Sequence, residues 1–355
     1  MNYTPHHAVW EITYACNMHC KHCGSGCGKK QPDELTTEEA LAVCDDCAAL
    51  GLQIMTLSGG EPFMREDWHL IAKRLTERGV RTNVISNGWY IDDSLLDKAK
   101  KAGMSNIGIS LDGLKETHDF IRVNGSFDRI ISAFAVMNRW DMPISVNTSV
   151  NKRNIGELPA LKEILINNNV KYWQFQIARP MGNFLKHPDL VMDRDQIQEL
   201  IDFAYENTKK NDIYIQLGDD IGYYDPKQDA VFKHAHPTIQ DRCCWTGCNA
   251  GKTVLGIRAN GDIYGCLSIR DEHFSEGNVR ETRLTELWTR PGAFAWNREM
   301  AKEKLTGFCA KCRYARQCLG GCAGSKLTFC HSLGENTYCS YRIPVSYTHL
   351  RAHET

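Results

Sequence analysis

The chain has 355 residues, 42% of them apolar, enough to fill two domains or one large barrel with an appendage. Its 42 basic and 43 acidic residues leave a formal charge of -1, which removes the electrostatic case for nucleic acid or an anionic membrane surface as partner. The N-terminus (MNYTPHHAVWEIT) has no charged segment followed by an apolar run, and no stretch approaches the roughly 18 apolar residues of a membrane span, so a cytoplasmic protein is expected.

From residue 8 to residue 177 short apolar strands alternate with amphipathic helices, the pattern of a parallel sheet covered by helices. Strands are expected at 9–13, 53–57, 82–85, 106–109, 144–148 and 172–177. Thr36 with Glu39 and Asn154 with Glu157 have capping-box spacing, Asp92 or Asp93 caps the helix after the third strand, and Gly51, Gly79 and Gly103 stop helices just before strands. Six such units make an α/β fold, a partial parallel (β/α)6 barrel, whose chemistry sits at the C-terminal strand ends. A helix at 194–209, opened by Asp193 with Gln196, a short strand at 213–217 and a polar connection with Asp225, Pro226 and Pro237 then lead to a boundary. The expected organisation is a barrel domain at 1–180, a connecting helical segment at 181–242 and a small cysteine-rich domain at 243–342. Residues 343–355 are set apart, because PVSYTHLRAHET continues no pattern and looks like a translated sequencing-adapter tail.

Sixteen cysteines without a secretion signal point to metal, since a reducing cytosol keeps thiols from pairing. Thiolates are soft ligands that select zinc, copper(I) or iron-sulfur clusters. Directly after the first strand stands Cys16-Asn-Met-His-Cys20-Lys-His-Cys23. Three thiolates leave one coordination position open, whereas a structural zinc site takes four protein ligands. After the second strand comes Ser58-Gly59-Gly60-Glu61-Pro62, where glycines let backbone approach a ligand and Glu61 offers a carboxylate to an ammonium group. The later strands add Ser86 and Asn87, then Ser110 and Asp112, then Asn147 at the same rim. Arg122 and Arg179 are candidates for binding a carboxylate and equally for plain surface charge. Cys44 and Cys47 share an apolar helical stripe with Ala40, Leu41 and Ala48 and read as core, while Cys27, in a glycine-rich loop, has no assigned role.

The C-x3-C-x2-C loop followed by Gly59-Gly60-Glu61 resembles the signature of the radical S-adenosylmethionine superfamily, with His22 where that family usually has another aromatic. The resemblance implies a 4Fe-4S cluster on Cys16, Cys20 and Cys23. Its open iron chelates S-adenosylmethionine, and reductive cleavage gives a 5'-deoxyadenosyl radical. It also carries cofactor contacts over to His22, Gly59, Gly60, Glu61, Ser110 and Asp112, and assigns no catalytic residue beyond the cluster.

Further on, Cys248, Cys266, Cys309-x2-Cys312-x5-Cys318-x3-Cys322 and Cys339 resemble the seven-cysteine signature of the SPASM subfamily. Two auxiliary 4Fe-4S clusters are implied, one on Cys248, Cys266, Cys322 and either Cys244 or Cys243, the other on Cys309, Cys312, Cys318 and Cys339, with Cys330 as the alternative to Cys339. A zinc domain is the weaker alternative, suited only by Cys309-x2-Cys312. Residues 253–266 read as a hairpin turning at Asn260-Gly261 that carries Cys266 into place. Many members of the subfamily modify side chains of ribosomally made peptides, so a peptide maturase is expected, served by an electron donor such as flavodoxin or ferredoxin. The chain starts at its first strand, which leaves peptide recognition to a separate leader-recognition protein or to the barrel itself. Leu267 and Ser268 follow Cys266 where the sulfatase-maturing branch carries an acidic residue, which disfavours that branch. The alternatives are a small-molecule substrate such as a tetrapyrrole intermediate, and a non-catalytic metal scaffold, against which the Gly59-Gly60-Glu61 motif stands.

Overall fold

A helix between two strands of one sheet returns the chain to the edge it left, so successive strands run parallel and end at a common rim. The computed structural model describes residues 3–218, 220–236 and 245–342 and is built on this rule. The six expected units are β1 (His7–Thr13), α1 (Thr37–Ala49), β2 (Ile54–Gly59), α2 (Trp68–Glu77), β3 (Arg81–Ser86), α3 (Asp93–Lys101), β4 (Asn106–Ser110), α4 (Lys115–Ile121), α5 (Ser126–Arg139), β5 (Ile144–Val150), α6 (Leu158–Asn167) and β6 (Tyr172–Ile177). Then come α7 (Gln196–Thr208), β7 (Tyr214–Leu217), α8 (Pro226–Ala235), β8 (Val254–Ile257) and β9 (Ile263–Tyr264).

Among the described residues one sheet holds nine strands in the order β7-β6-β5-β4-β3-β2-β1-β8-β9. The short strand expected in the connecting segment is a seventh parallel strand, pairing Tyr172 with Tyr214 and Phe175 with Leu217. The expected hairpin is present as antiparallel β8 and β9, with Gly261 at φ 93°. Its first strand also lies parallel to β1, pairing His7 with Val254 and Trp10 with Ile257. The cysteine-rich region therefore extends the barrel sheet rather than hanging from it. β1 is buried between β2 and β8, and Trp10, Ile12, Leu57, Ile109, Phe175 and Ile257 of the sheet all belong to one core. Burying each such side chain contributes roughly 1.5–3 kcal/mol.

Cys44 and Cys47 are fully buried in that core, and burial pushes the Cys44 thiol up to about 12, so neither is a reactive thiolate. Gly51, Gly79 and Gly103 take φ of 78°, 82° and 73° at the ends of α1, α2 and α3. Thr36 and Glu39 form the full capping box, and Asp92 caps α3 by accepting from Leu95 N. The other two boxes differ. Asn154 donates its amide to the Asp112 and Ser149 carbonyls, while Glu157 accepts from Leu114 N and Thr117 Oγ1. Partners from the β4–α4 connection outcompete the local bond there, and α6 starts one turn later. Gln196 accepts from Asp193 N, but the Asp193 carboxylate pairs with Lys152 Nζ at 2.7 Å. α8 lies where only a polar connection was expected; Asp225 caps it by accepting from Lys227 N, with Pro226 at its first position.

After β9 the helices are short: α9 (Leu284–Thr289), α10 (Ala295–Arg298), α11 (Gly307–Lys311), α12 (Ala315–Cys318) and α13 (Ala323–Cys330). Leu305, Cys309 and Ala315 form one small apolar cluster there, and Tyr264, Ile269, Phe274 and Ala323 another. The α9–α10 stretch instead packs Leu284, Leu287, Trp288, Ala293 and Phe294 into the barrel core. So little apolar surface around the remaining cysteines leaves that part to be organised by its ligands. No helix of the described residues is long and apolar enough to cross a membrane.

Glu39 also joins the two halves, taking Arg280 Nε at 2.7 Å and Nη2 at 2.8 Å. The hydrogen-bonded Arg280 guanidinium lowers the Glu39 carboxyl to about 2. Its folded value is depressed, so this contribution is present above about pH 4.5 and is lost as pH falls through about 2. Thr36→Ala is expected to cost about 1 kcal/mol in urea denaturation at neutral pH. The Arg280→Ala chain should show a smaller loss of stability than wild type between pH 4.5 and 2.

Candidate active site

The parallel order brings the C-terminal ends of β1 to β4 side by side, and the loop after β1 folds over them. A register shift between Glu11 and Thr13 sets Thr13 opposite Gly59. Gly60 N then donates to the Thr13 carbonyl and Glu61 N to the Ala15 carbonyl, both at 2.8 Å. The loop closes on itself through Cys16 N to Gly28 O (2.9 Å), and α4 fixes its middle through Lys21 N to Ile121 O (2.8 Å). Asn183, just after β6, holds the far side by donating from its backbone to Cys23 O and from its amide to Cys20 O.

Cys16, Cys20, Cys23, Gly59, Gly60, Ser110 and Arg122 consequently line one cavity of about 150 Å³, together with Met18, His22, Ser58, Ser86 and Asn87. Cys27 lines it as well, and the Cys27 side chain beside it pulls the Cys23 thiol down to about 5. The sequence signal that could have found Cys27 is its position four residues beyond Cys23 in a glycine-rich loop. Burial pushes the Cys16 thiol up to about 11 despite a bond from Met18 N at 3.4 Å, so a cation is needed to hold it as thiolate. Arg122 Nη1 stands 3.9 Å from Cys20 Sγ. A soft, electron-rich donor set with N–H groups aimed at sulfur fits an iron-sulfur cluster.

Glu61 is placed differently from a free acceptor. Its carboxylate is fully buried beneath the cavity and accepts from Ser86 Oγ (2.9 Å), Asn87 N (2.8 Å) and Phe63 N (3.3 Å). Burial raises it to about 7 against these bonds. The groups of this motif that reach the cavity wall are Ser58, Gly59 and Gly60, and Glu61 ties the ends of β2 and β3 together. Asn87 passes the tie on, donating to Asn17 Oδ1 in the cysteine loop at 2.7 Å.

Asp112 likewise lies behind the cavity rather than in its wall. It is fully buried, accepts Arg122 Nε at 2.5 Å and Ser149 N at 2.9 Å, and stands 3.4 Å from His22 Nε2. Burial opposes its charge, but the Arg122, His22 and His118 neighbours hold its carboxyl down at about 2. Burial lowers His22 to about 4, leaving a neutral flat ring in the cavity wall. Arg122, equally readable from sequence as surface charge, has a side chain only 9% exposed.

The C-terminal cysteines fall into two groups. Cys248 has Cys322 and Cys266 as neighbours, and burial pushes its thiol up to about 12. Cys243 and Cys244 lie outside the described residues. Cys318 has Cys339, Cys309 and Cys312 as neighbours, and burial again pushes it up to about 12. Cys330 instead pairs with Thr337, through its Oγ1 at 3.3 Å and N at 3.4 Å. Backbone N–H groups of Ser268, Asn336 and Tyr314 point at Cys266, Cys309 and Cys312. Between the groups sits Tyr223, at φ 75°, whose hydroxyl accepts from Cys322 N at 3.0 Å and from Asn336 Nδ2 at 3.2 Å. Sequence gave no sign of Tyr223, which comes from the segment before α8. Arg179 is also buried, beside Cys322.

A family model described as the radical SAM superfamily matches residues 10–161, and one described as an iron-sulfur cluster-binding domain, SPASM, matches residues 248–313. The chain is 29% identical over 349 residues to the AdoMet-dependent heme synthase of Methanosarcina barkeri, covering 96% of this chain and 98% of the relative. It is 27% identical over 324 residues to the mycofactocin maturase MftC of Mycobacterium tuberculosis, covering 90% and 78%. The fold is that of Streptococcus suis SuiB bound to S-adenosylmethionine, at TM-score 0.74 and 18% identity over 95% of this chain and 78% of that one.

A Cβ at Gly60 would overlap the Ala15 carbonyl oxygen. Gly60→Ala is therefore expected to displace the cysteine loop and to lower iron bound after anaerobic reconstitution by about four per chain. Unchanged circular dichroism checks that the barrel has kept its helices.

Proposed function

The chain belongs to the radical SAM superfamily and carries a SPASM domain, and on that premise we propose that it abstracts hydrogen from a side chain of a ribosomally made peptide or protein. The observation that carries the radical chemistry is the convergence of Cys16, Cys20 and Cys23 with Gly59, Gly60, Ser110 and Arg122 on one cavity at the strand ends. The enzyme's cofactors are S-adenosylmethionine and 4Fe-4S clusters. When bound, a reduced cluster supplies the electron that splits the cofactor's sulfonium and yields a 5'-deoxyadenosyl radical.

The residues hold and shield that reaction. Cys16, Cys20 and Cys23 anchor the cluster. Gly59 and Gly60 bring bare backbone to the methionyl end of the cofactor, held in place by Glu61 through Ser86 and Asn87. Ser110 offers a hydroxyl from the wall, and Asp112 fixes Arg122 so that a cation faces the anionic end of the ligand. His22 adds a neutral ring. In the C-terminal domain Cys248, Cys266 and Cys322, with Cys244 or Cys243, form one auxiliary set, and Cys309, Cys312, Cys318 and Cys339 the other. The choice of Cys339 over Cys330 is supported by its place beside Cys318. A cytoplasmic location and an electron donor of the flavodoxin or ferredoxin kind complete this reading.

The maturase likeness of 27% supports a peptide substrate. A second reading, a tetrapyrrole substrate, is favoured by the likeness to the heme synthase, which spans 98% of that relative.

Anaerobically reconstituted protein reduced with dithionite is expected to form 5'-deoxyadenosine, and Cys16→Ala, Cys20→Ala and Cys23→Ala variants to form none; equal turnover by all four sinks the assignment. About twelve irons per chain are expected, against about four if the C-terminal domain held zinc. For the substrate, a precursor peptide encoded beside the gene and an iron porphyrin that still carries its propionate side chains are offered separately. A mass change in the peptide with matched 5'-deoxyadenosine supports the first reading, and a change in the porphyrin alone overturns it in favour of the second.

A further inference from the structure

Arg179 leaves the end of β6, on the barrel rim, and its side chain reaches across to the cysteine domain with only 12% of its surface exposed. Nη1 lies 3.7 Å from Cys322 Sγ, Nη2 donates to Ser268 Oγ at 2.6 Å, and Nε stands 3.7 Å from Asp220 Oδ2. Ser268 is two residues beyond Cys266, so the same guanidinium is braced by both cysteine-bearing segments. Room for it is made by Gly324, in the first turn of α13, where a Cβ would overlap Nη1. Two hydrogen bonds, a carboxylate charge nearby and a glycine-shaped slot make this a built site for a cation beside sulfur.

We propose that Arg179 is a positioning residue for the auxiliary cluster on Cys248, Cys266 and Cys322, where its fixed charge stabilises the reduced form and raises the reduction potential. The inference rests on the iron-sulfur reading of that cysteine group. A guanidinium stays protonated at any working pH, and a buried charge is little screened by salt. When the site gains one electron its negative charge rises by one, and attraction to the nearby cation rises with it. The electron comes from dithionite in a titration, and in turnover from the carbon radical left on the substrate after hydrogen abstraction; the guanidinium neither gains nor loses a proton. The Asp220 carboxylate, 5% exposed, opposes the effect and sets its size.

The test is a dithionite titration followed by electron paramagnetic resonance on the full chain with Cys16, Cys20 and Cys23 all changed to Ala, so that auxiliary signals stand alone. Arg179→Met is expected to move one auxiliary midpoint negative, cutting its reduction constant at least tenfold, about 59 mV for a one-electron couple. Arg179→Lys should move it less, and Asp220→Asn should move it positive, while the other auxiliary couple stays put. Gly324→Ala, which keeps the charge but crowds it, should shift the same couple negative and serves if Arg179→Met fails to load iron. No shift in any variant, or equal shifts of both couples, overturns the inference with the iron-sulfur reading intact. A parent chain lacking the roughly eight auxiliary irons overturns that reading and the inference with it.

Discussion

The parallel pairing of β1 with β2 on one side and β8 on the other is the constraint on which everything else rests. Because all three strands point the same way, the cysteine loop, the Gly59-Gly60 turn and the hairpin that carries Cys266 leave from neighbouring positions. Two backbone bonds, Gly60 N to Thr13 O and Glu61 N to Ala15 O, then lock the first two of these together. The glycines are needed there for space, since a Cβ on Gly59 would run into the Thr13 backbone at the end of β1 and one on Gly60 into the Ala15 backbone just beyond it.

Around that frame the protein places buried ion pairs at the sulfur sites. Arg122 with Asp112 stands beside Cys20, and Arg179 with Asp220 stands beside Cys322. A third pair, Glu11 with Arg270, joins β1 to the cysteine domain through two bonds of 2.6 and 2.8 Å, and Ser25 of the first cysteine loop donates to the same carboxylate. Buried pairs of this kind are weak sources of net stability, because desolvation cancels most of their attraction. Their worth here is placement, since each fixes a charge or a loop at a point where a cysteine must be held.

The two halves differ in what holds them. The barrel has a continuous apolar core reaching from Trp10 to Ile215. Beyond β9 that core takes in Leu284, Leu287, Trp288, Ala293 and Phe294 of the α9–α10 stretch, but around the cysteines the apolar clusters shrink to three or four residues, and thiols pack there with Tyr223, Trp245 and Tyr224. That division matches a barrel that shapes its own site and an iron-sulfur cluster-binding domain whose shape depends on what its cysteines bind.

Local spacing carried the family resemblance that implies the reaction, and it was enough to read much of the fold. The C-x3-C-x2-C loop, Gly59-Gly60-Glu61, the six strand-helix units and the glycine stops are all patterns of near neighbours, and backbone geometry acts on near neighbours directly. The Asn154 and Asp193 boxes misled because their side chains had better partners far away in sequence. Only the tertiary structure brought β8 against β1, added β7 to the sheet, and grouped Cys339 rather than Cys330 with Cys318. It alone turned Glu61 into a tie beneath the cavity, put Cys27 into the cavity wall, and buried Arg122 and Arg179 beside sulfur. Each of these depends on which of many distant polar or apolar groups meets a given side chain once water is excluded, and no single segment of sequence carries that choice.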